Sequence, residues 1–331
     1  MFLHRLGKTQ APEFPKGLTW LNSEPLTLKR LRGRVVLVDF WTYSCVNCVR
    51  TMPKLREWYA RYADKGLVMI GVHTPEFDFE KDEKNVERAV KQYKLKHPII
   101  LDPDYKVWNL YANRWWPRHF LINKDGLIVY DHVGEGGYAE TEMAIQQALS
   151  QIGVEDLPAI EPEMGAAGGI CYRTTPETYL GYVRGRFANA QGVLPNQEAD
   201  FVSSGKYEAD MVSLHGQFTL GKESIRHDRL LPSSTDYLAL RYSAFSVNLV
   251  MGSTNTRKAI LEVYLDEQPL PEDMAGEDVV MYKGKAIVEV NAHRLYRLVD
   301  SDVYHQGVLK LKTAANNLEM FAFTFGRCKG M

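Results

Sequence analysis

Residues 35–53, VVLVDFWTYSCVNCVRTMP, decide the fold of the first half of the chain. The first seven of these residues are apolar except for Asp39, which predicts a strand buried on both faces of a sheet. After the cysteines, Val49 and Met52 begin an apolar stripe at helical spacing, which predicts an amphipathic helix. Cys45 and Cys48 are therefore expected at the turn between a buried strand and a helix.

The position of the cysteine pair predicts its chemistry. Unpaired N–H groups and the helix dipole favour a thiolate on Cys45, the residue expected at the helix N-terminus. Cys48, one turn further, is shielded but close enough to resolve a mixed disulfide. Asp39 precedes Cys45 by six residues and is expected to exchange a proton with Cys48, while Pro53 is expected to kink the helix. The pattern predicts an enzyme that exchanges dithiols and disulfides without a bound cofactor.

The 331 residues predict two domains of different class. Residues 1–152 alternate strand and helix signals and then show a hairpin, which predicts an α/β domain with a mixed sheet and helices on both faces. Residues 153–170 are rich in proline, glycine and acids and predict a linker. Residues 171–331 predict an all-β, jelly-roll-like sandwich. Its expected strands are residues 179–187, 211–220, 237–250, 259–265, 286–290, 308–311 and 318–325.

Composition excludes several classes of partner and location. The net charge of −1 gives no indication of a nucleic-acid partner or of an anionic membrane surface. The sequence has no apolar run long enough for a transmembrane helix, and its N-terminus lacks the apolar segment of a secretory signal. As written, the sequence therefore predicts a cytoplasmic location.

The quoted stretch resembles the thioredoxin superfamily, and residues 10–150 resemble its TlpA/ResA-like (redoxin) branch. The resemblance implies a thioredoxin-like fold and a cis-proline that faces the cysteines, for which Pro117 in NRWWPRHF is the candidate. It also implies that the backbone of Trp116 pairs with an extended substrate. Trp41 is expected beside the cysteines, where it would line the substrate groove with Pro117 and Trp116. Relatives place a glutamate from an insertion near the cysteines. Glu76, with Glu80 as the other candidate, is expected to fill this place in the substrate groove.

The phrases WTYSCVNC and NRWWPRHFLIN, followed by a β-rich domain, resemble the extramembrane part of DipZ-type thiol–disulfide interchange proteins. That resemblance implies a protein disulfide as substrate and an upstream thiol electron donor, such as a membrane-embedded CcdA-like protein. It implies a carbohydrate-binding-module-like C-terminal domain with a glycan as partner. These relatives act outside the cytoplasm, so the resemblance and the missing signal leave the compartment open.

Two other functions are consistent with parts of the sequence. A thiol peroxidase related to peroxiredoxins shares the APEF opening and a threonine, Thr42, three residues before Cys45, but the proline of that pattern is missing. A glycan- or protein-binding protein with a vestigial CxxC is the non-enzymatic alternative. The uncharged Val46–Asn47 dipeptide and the buried aspartate favour a reductant, with a potential nearer the value of about −270 mV for thioredoxin than that of about −120 mV for DsbA.

The remaining cysteines, Cys171 and Cys328, bracket the second domain. Zinc sites use four ligands at close spacing, and these cysteines do not provide that spacing with Cys45 and Cys48, so no metal is predicted. Cys171 and Cys328 are expected either to form a structural disulfide between the first and last strands or to be two buried thiols.

Overall fold

The computed structural model describes residues 7, 9–160, 171–229, 231 and 233–326. The chain divides into two compact units, residues 1–163 and 164–331. No helix in the described part of the chain is long and apolar enough to cross a membrane. Cys328 lies outside the described residues, so its pairing with the exposed Cys171 stays a prediction.

The first unit contains the predicted mixed sheet. The strands are β1 (Thr9–Gln10), β2 (Trp20–Leu21), β3 (Val35–Trp41), β4 (Leu67–His73), β5 (Ile99–Leu101), β6 (Arg118–Ile122) and β7 (Leu127–Val133). Their order in the sheet is β1-β7-β6-β3-β4-β5-β2, with β3 at the centre. Strand β3 runs parallel to β4 and antiparallel to β6.

Helices cover both faces of this sheet. They are α1 (Val46–Tyr62), α2 (Glu83–Gln92), α3 (Lys106–Leu110) and α4 (Tyr138–Ser150), and 3₁₀ turns occupy Ala63–Lys65 and Asp78–Lys81. Alternate β3 residues join different cores: Leu37 packs with Met52 of α1, whereas Val38 packs with Val107 of α3. Asp39 therefore lies on the face of the sheet that α1 covers. This architecture confirms the predicted thioredoxin-like class.

The second unit is all-β in its described residues and encloses one continuous core. The strands are β8 (Thr178–Tyr179), β9 (Glu198–Phe201), β10 (Val212–Leu220), β11 (Ile225–His227), β12 (Tyr237–Ser253), β13 (Ala259–Leu265), β14 (Gln268–Pro269), β15 (Val279–Tyr282), β16 (Lys285–Val290), β17 (Arg294–Thr313) and β18 (Leu318–Gly326), with a 3₁₀ turn at Glu272–Met274. Strand β12 pairs with β10 in its first part and with β18 in its second, and register shifts separate the two parts. Such irregularities let one long strand take part in two layers.

Two predicted strands differ from the structure by more than three residues at one end. The strand expected over 179–187 ends at Tyr179, and the chain then turns. A Cβ atom at Gly181 would lie 2.3 Å from the backbone of Glu223, so this turn depends on a close backbone approach that alternation of apolar residues does not reveal. The strand expected over 308–311 is the end of the 20-residue β17.

The beginning of the predicted linker packs against the first unit. Gln146 of α4 donates a hydrogen bond to the carbonyl oxygen of Pro158 over 2.7 Å, and Arg61 of α1 donates to that of Ala159 over 2.6 Å. Residues 161–170 of the predicted linker lie outside the described residues.

Candidate active site

The two cysteines lie where β3 leads into α1. Cys45 is the N-cap of α1 and has an extended backbone, and its Sγ accepts a hydrogen bond from the backbone N–H of Cys48 over 3.4 Å. Both cysteines are free thiols. Cys45 is half-buried, whereas Cys48 is completely buried. Pro53 lies inside the helix. One thiol is therefore accessible to a substrate, and the other lies behind it.

The buried thiol holds its proton strongly. Burial raises the pKa of the Cys48 thiol well above its usual range, and the hydrogen bond and charge of Cys45 and the charge of Asp39 raise it further. A hydrogen bond with the backbone of Thr42 opposes these effects. Cys48 must lose this proton to act as a nucleophile, because the thiolate is the reactive form. The site therefore requires a proton acceptor near Cys48.

Asp39 lies beneath the cysteine pair and is only 2% exposed. It is directly opposite His119 in the antiparallel pairing of β3 with β6. The Nδ1 atom of His119 lies 3.0 Å from Oδ1 of Asp39, and within the described residues neither atom has another partner. A buried carboxylate is thus brought together with an imidazole of the neighbouring strand β6.

The Trp116–Pro117 peptide bond is cis, and this segment faces the attacking cysteine. The Sγ atom of Cys45 lies 4.0 Å from the carbonyl oxygen of Trp116. The Trp116 ring packs on Trp108, with 4.3 Å between ring centroids, while Trp115 is 51% exposed. The structure therefore brings the cysteine pair and the Trp116–Pro117 segment together, with an exposed aromatic side chain beside them.

Trp41 does not line an open groove. It is only 1% exposed, and its ring meets His73 edge to face, with 4.9 Å between centroids. Alternation along β3 directs Trp41 into the core under α1, the same face as Asp39. The expectation of a groove residue is corrected accordingly: Trp41 supports the site from below. Burial lowers the pKa of His73 to about 3, so this neighbour is neutral at neutral pH.

Glu80, rather than Glu76, holds the loop that precedes Cys45. Glu80 is 1% exposed, and its Oε1 accepts hydrogen bonds from the hydroxyls of Thr42 (2.6 Å) and Ser44 (2.7 Å) and from the Ser44 N–H (3.2 Å). Its Oε2 accepts from the N–H groups of Glu76 (2.6 Å) and Phe77 (3.1 Å). Glu76 is half-buried and contributes its backbone to this network.

The Glu80 carboxyl is electrostatically unusual. Burial raises its pKa, and hydrogen bonds from Thr42 and Ser44 partly offset that effect. The residue lies in the 3₁₀ turn Asp78–Lys81, which sequence periodicity did not separate from the loop around it. Two polar residues, Thr42 and Ser44, just before the cysteine were the available signal, because buried hydroxyls require partners.

The described residues contain no group of three or more histidine, cysteine, aspartate or glutamate side chains that could hold a metal ion. Cys171 is exposed in the second unit, and the Cys45–Cys48 pair belongs to the first.

Two family models match the chain. One, described as Redoxin, covers residues 7–148, and the other, described as Thioredoxin like C-terminal domain, covers residues 175–326. Thiol-disulfide oxidoreductase ResA of Bacillus cereus is 34% identical over 143 residues, which are 43% of this chain and 78% of that protein. The chain belongs to the ResA family of thiol–disulfide oxidoreductases. The predicted resemblance to the TlpA/ResA-like branch is thereby confirmed.

The similarity to DipZ extends over both units. Protein DipZ of Mycobacterium bovis is 33% identical over 324 residues, which are 96% of this chain. The chain spans 43% of the length of that protein. A solved structure of a putative thiol:disulfide interchange protein DsbE from Chlorobium tepidum is 26% identical and covers 44% of this chain and 96% of that one, with a TM-score of 0.37. The ResA-type unit is thus combined with a second unit that DipZ shares.

Proposed function

We propose that this protein reduces protein disulfides, with Cys45 as the attacking thiolate and Cys48 as the resolving thiol. The observation that carries the proposal is the difference in exposure between the two: a half-buried Cys45 at a helix N-terminus and a completely buried Cys48 with a raised pKa. This asymmetry favours attack on an external disulfide by one sulfur and internal resolution by the other.

The exchange proceeds in two steps. The Cys45 thiolate attacks one sulfur of the substrate disulfide, a mixed disulfide forms, and the first substrate thiolate leaves. Cys48 then transfers its proton to the Asp39 carboxylate and attacks Sγ of Cys45, so the mixed disulfide breaks and the second substrate thiolate leaves. The substrate gains two electrons, and the protein is left with a Cys45–Cys48 disulfide. A dithiol electron donor must reduce that disulfide before the next cycle.

Substrate binding is proposed for the surface around the Trp116–Pro117 segment. The proximity of the Trp116 carbonyl to the Cys45 sulfur supports backbone pairing with an extended substrate beside the reacting atoms. Trp115 presents an exposed aromatic ring at the same place, which suits an apolar substrate side chain. Glu80 holds the Thr42–Ser44 loop and thereby positions Cys45.

The direction of electron flow follows from the dipeptide between the cysteines. A dithiol–disulfide couple is strongly oxidising when its reduced thiolate form is stabilised. Val46 and Asn47 add no positive charge that would stabilise the thiolate of Cys45. We therefore expect the Cys45–Cys48 couple to have a potential near the value of about −270 mV for thioredoxin. The similarity to DipZ supports a membrane-embedded, CcdA-like protein as the electron donor.

Glycan binding by the second unit also stays a prediction. That unit has a cleft of about 460 Å³ whose lining includes Tyr264, the kind of residue that stacks on sugar rings. The ammonium group of Lys312, however, lies over this ring, 4.4 Å from its centroid. Titration of the full chain with neutral and acidic oligosaccharides, repeated on Tyr264→Ala, tests whether the cleft takes a sugar. Equal heats for both proteins would exclude Tyr264 as the contact.

The proposed reductase activity is tested with insulin as the disulfide substrate and dithiothreitol as the electron donor. We expect the wild type to accelerate insulin reduction and both Cys45→Ser and Cys48→Ser to lose that acceleration. Cys48→Ser should additionally accumulate a mixed disulfide through Cys45. Wild-type protein that does not exceed the dithiothreitol background, or that consumes peroxide faster than it reduces insulin, would contradict the proposal and favour the peroxidase alternative.

A further inference from the structure

The surroundings of Asp39 contain more proton-carrying groups than the proposed exchange uses. His119 lies directly opposite Asp39, with 3.0 Å between Nδ1 and Oδ1, and both residues are at most 2% exposed. Neither ring nitrogen of His119 has a hydrogen-bond partner among the described residues. Buried polar atoms without a partner are costly and uncommon, so an imidazole kept at this position indicates a role beyond packing.

His119 also lies against a second histidine that leads outward. His119 and His132 are opposite each other in the pairing of β6 with β7, and their rings are nearly parallel, 6.2 Å apart at an angle of 14°. His132 is half-buried, whereas His119 is 1% exposed. A Cβ atom at Gly137 would lie 2.6 Å from the His132 ring, so a residue without a side chain leaves room for this imidazole. Three adjacent strands thus present a buried carboxylate, a buried imidazole and a half-buried imidazole.

Other side chains pack around the row formed by Asp39, His119 and His132. On the α1 side, Cys48 feels the charge of Asp39, and the Trp58 indole meets His119 edge to face, with 6.1 Å between centroids. On the β5 side, His97 is 1% exposed, and burial lowers its pKa to about 4, which keeps it neutral at neutral pH. On the α4 side, Tyr138 packs on Trp58, with 6.2 Å between ring centroids.

We propose that His119 is a positioning residue for Asp39 that passes the proton of Cys48 outward through His132. The inference rests on the proposed function, because it concerns the step in which Cys48 resolves the mixed disulfide. Cys48 gives its proton to the Asp39 carboxylate, Asp39 gives it to Nδ1 of His119, and Nε2 of His119 releases a proton toward His132 and water. No electrons move in this transfer. The disulfide exchange itself proceeds as described above.

The test follows both halves of one turnover. Reduced protein is mixed rapidly with a symmetric aromatic disulfide whose thiolate is coloured. The attack of Cys45 releases the first coloured thiolate, and the attack of Cys48 on Cys45 releases the second. We expect Asp39→Asn to slow the second phase by about 10²-fold and His119→Gln by at least about ten-fold at neutral pH, with the first phase unchanged.

The pH profile separates proton transfer from structural support. His119→Gln should change the pH dependence of the second-phase rate, because a residue that only supports the site would leave that dependence as it is in the wild type. Asp39→Asn combined with His119→Gln should be no slower than Asp39→Asn alone, because both residues act in one path. His132→Gln, at a half-buried position that tolerates change better, should slow the same phase. Tyr130→Phe keeps the ring that packs on His132 and serves as the matched control with unchanged rates.

The outcomes distinguish the inference from the function on which it rests. A wild type that releases no coloured thiolate would refute the proposed function and the inference with it. A wild type with two phases, together with His119→Gln and His132→Gln variants that keep the wild-type second-phase rate and its pH dependence, would refute the inference alone. Equal slowing of both phases by His119→Gln would also refute it, because that result indicates general damage to the site.

Discussion

Replacement of Glu80 by glutamine perturbs the loop before Cys45 without changing the size of the side chain. The Glu80 carboxyl accepts hydrogen bonds from five donors, three at Oε1 and two at Oε2. The hydroxyls of Thr42 and Ser44 can rotate and adapt to a new partner. The N–H groups of Glu76 and Phe77 cannot, because each backbone N–H only donates. Glutamine must therefore turn its amide oxygen toward them, and its N–H₂ then faces the Ser44 N–H and leaves that buried donor without a partner.

The magnitude follows from the bond that the Ser44 N–H loses. A hydrogen bond to a charged group contributes about 1.5–3 kcal/mol, and a buried donor left without a partner costs about 1–3 kcal/mol. Glu80→Gln should therefore lower the free energy of unfolding of the first unit by about 1.5–3 kcal/mol. Glu76→Gln is the matched control, since it changes a half-buried side chain four residues away and keeps the backbone N–H, and should cost no more than about 0.5 kcal/mol.

The assay uses the distribution of tryptophan in the chain. All six tryptophans lie between Trp20 and Trp116, so tryptophan fluorescence during urea unfolding reports on the first unit alone. The same protein samples should show slower release of the first coloured thiolate in Glu80→Gln, because the loop that carries Cys45 is less well held. A Glu80→Gln variant whose unfolding free energy lies within about 0.5 kcal/mol of both wild type and Glu76→Gln would refute this reasoning.

Three further results are expected. Burial lowers the pKa of His97 to about 4 from about 6.5, so below about pH 6.5 the unfolded state binds more protons than the folded state, and the free energy of unfolding falls as the pH falls to about 4. His97→Gln should remove about 3 kcal/mol of that fall in urea unfolding measured across this pH range, and a pH dependence equal to that of the wild type would contradict the prediction. Gly137→Ala should lower the melting temperature and slow the second thiolate phase, because Gly137 has a φ of 61° and a Cβ there would meet His132; a wild-type melting temperature would show that the loop adapts. Redox titration of Cys45–Cys48 against glutathione should give a potential of about −270 mV, and a value of about −120 mV would reverse the proposed direction of electron flow.

The sequence predicted most of the architecture in the first unit. An apolar run of seven residues forms β3 over Val35–Trp41, and the helix after the cysteines forms α1 with Pro53 inside it. These features depend on local periodicity and on the backbone groups at a helix terminus, which the chain encodes within a few residues. In the second unit, β13 has the predicted bounds of residues 259–265 for the same reason.

Long-range pairing limited the prediction of the second unit. Strand β17 covers Arg294–Thr313, but only its end alternates clearly. Its first part pairs with residues 246–251 of β12 and its last with Leu261–Leu265 of β13, so both of its neighbours contribute to its length. Alternation along a single segment cannot reveal a strand whose hydrogen-bond partners are distant in sequence.

The sequence by itself determined that a cysteine pair stands at a helix N-terminus after a buried strand that carries an aspartate. It did not determine which groups contact that aspartate or the Thr42–Ser44 loop before Cys45. The register of β3 against β6 brings His119 to Asp39, and the fold of the segment after β4 places Glu80, rather than Glu76, against Thr42 and Ser44. A shift of one residue in that register would turn the His119 side chain to the opposite face of the sheet. The thiol chemistry is thus local to the chain, whereas its proton acceptors are assembled by contacts that only the tertiary structure creates.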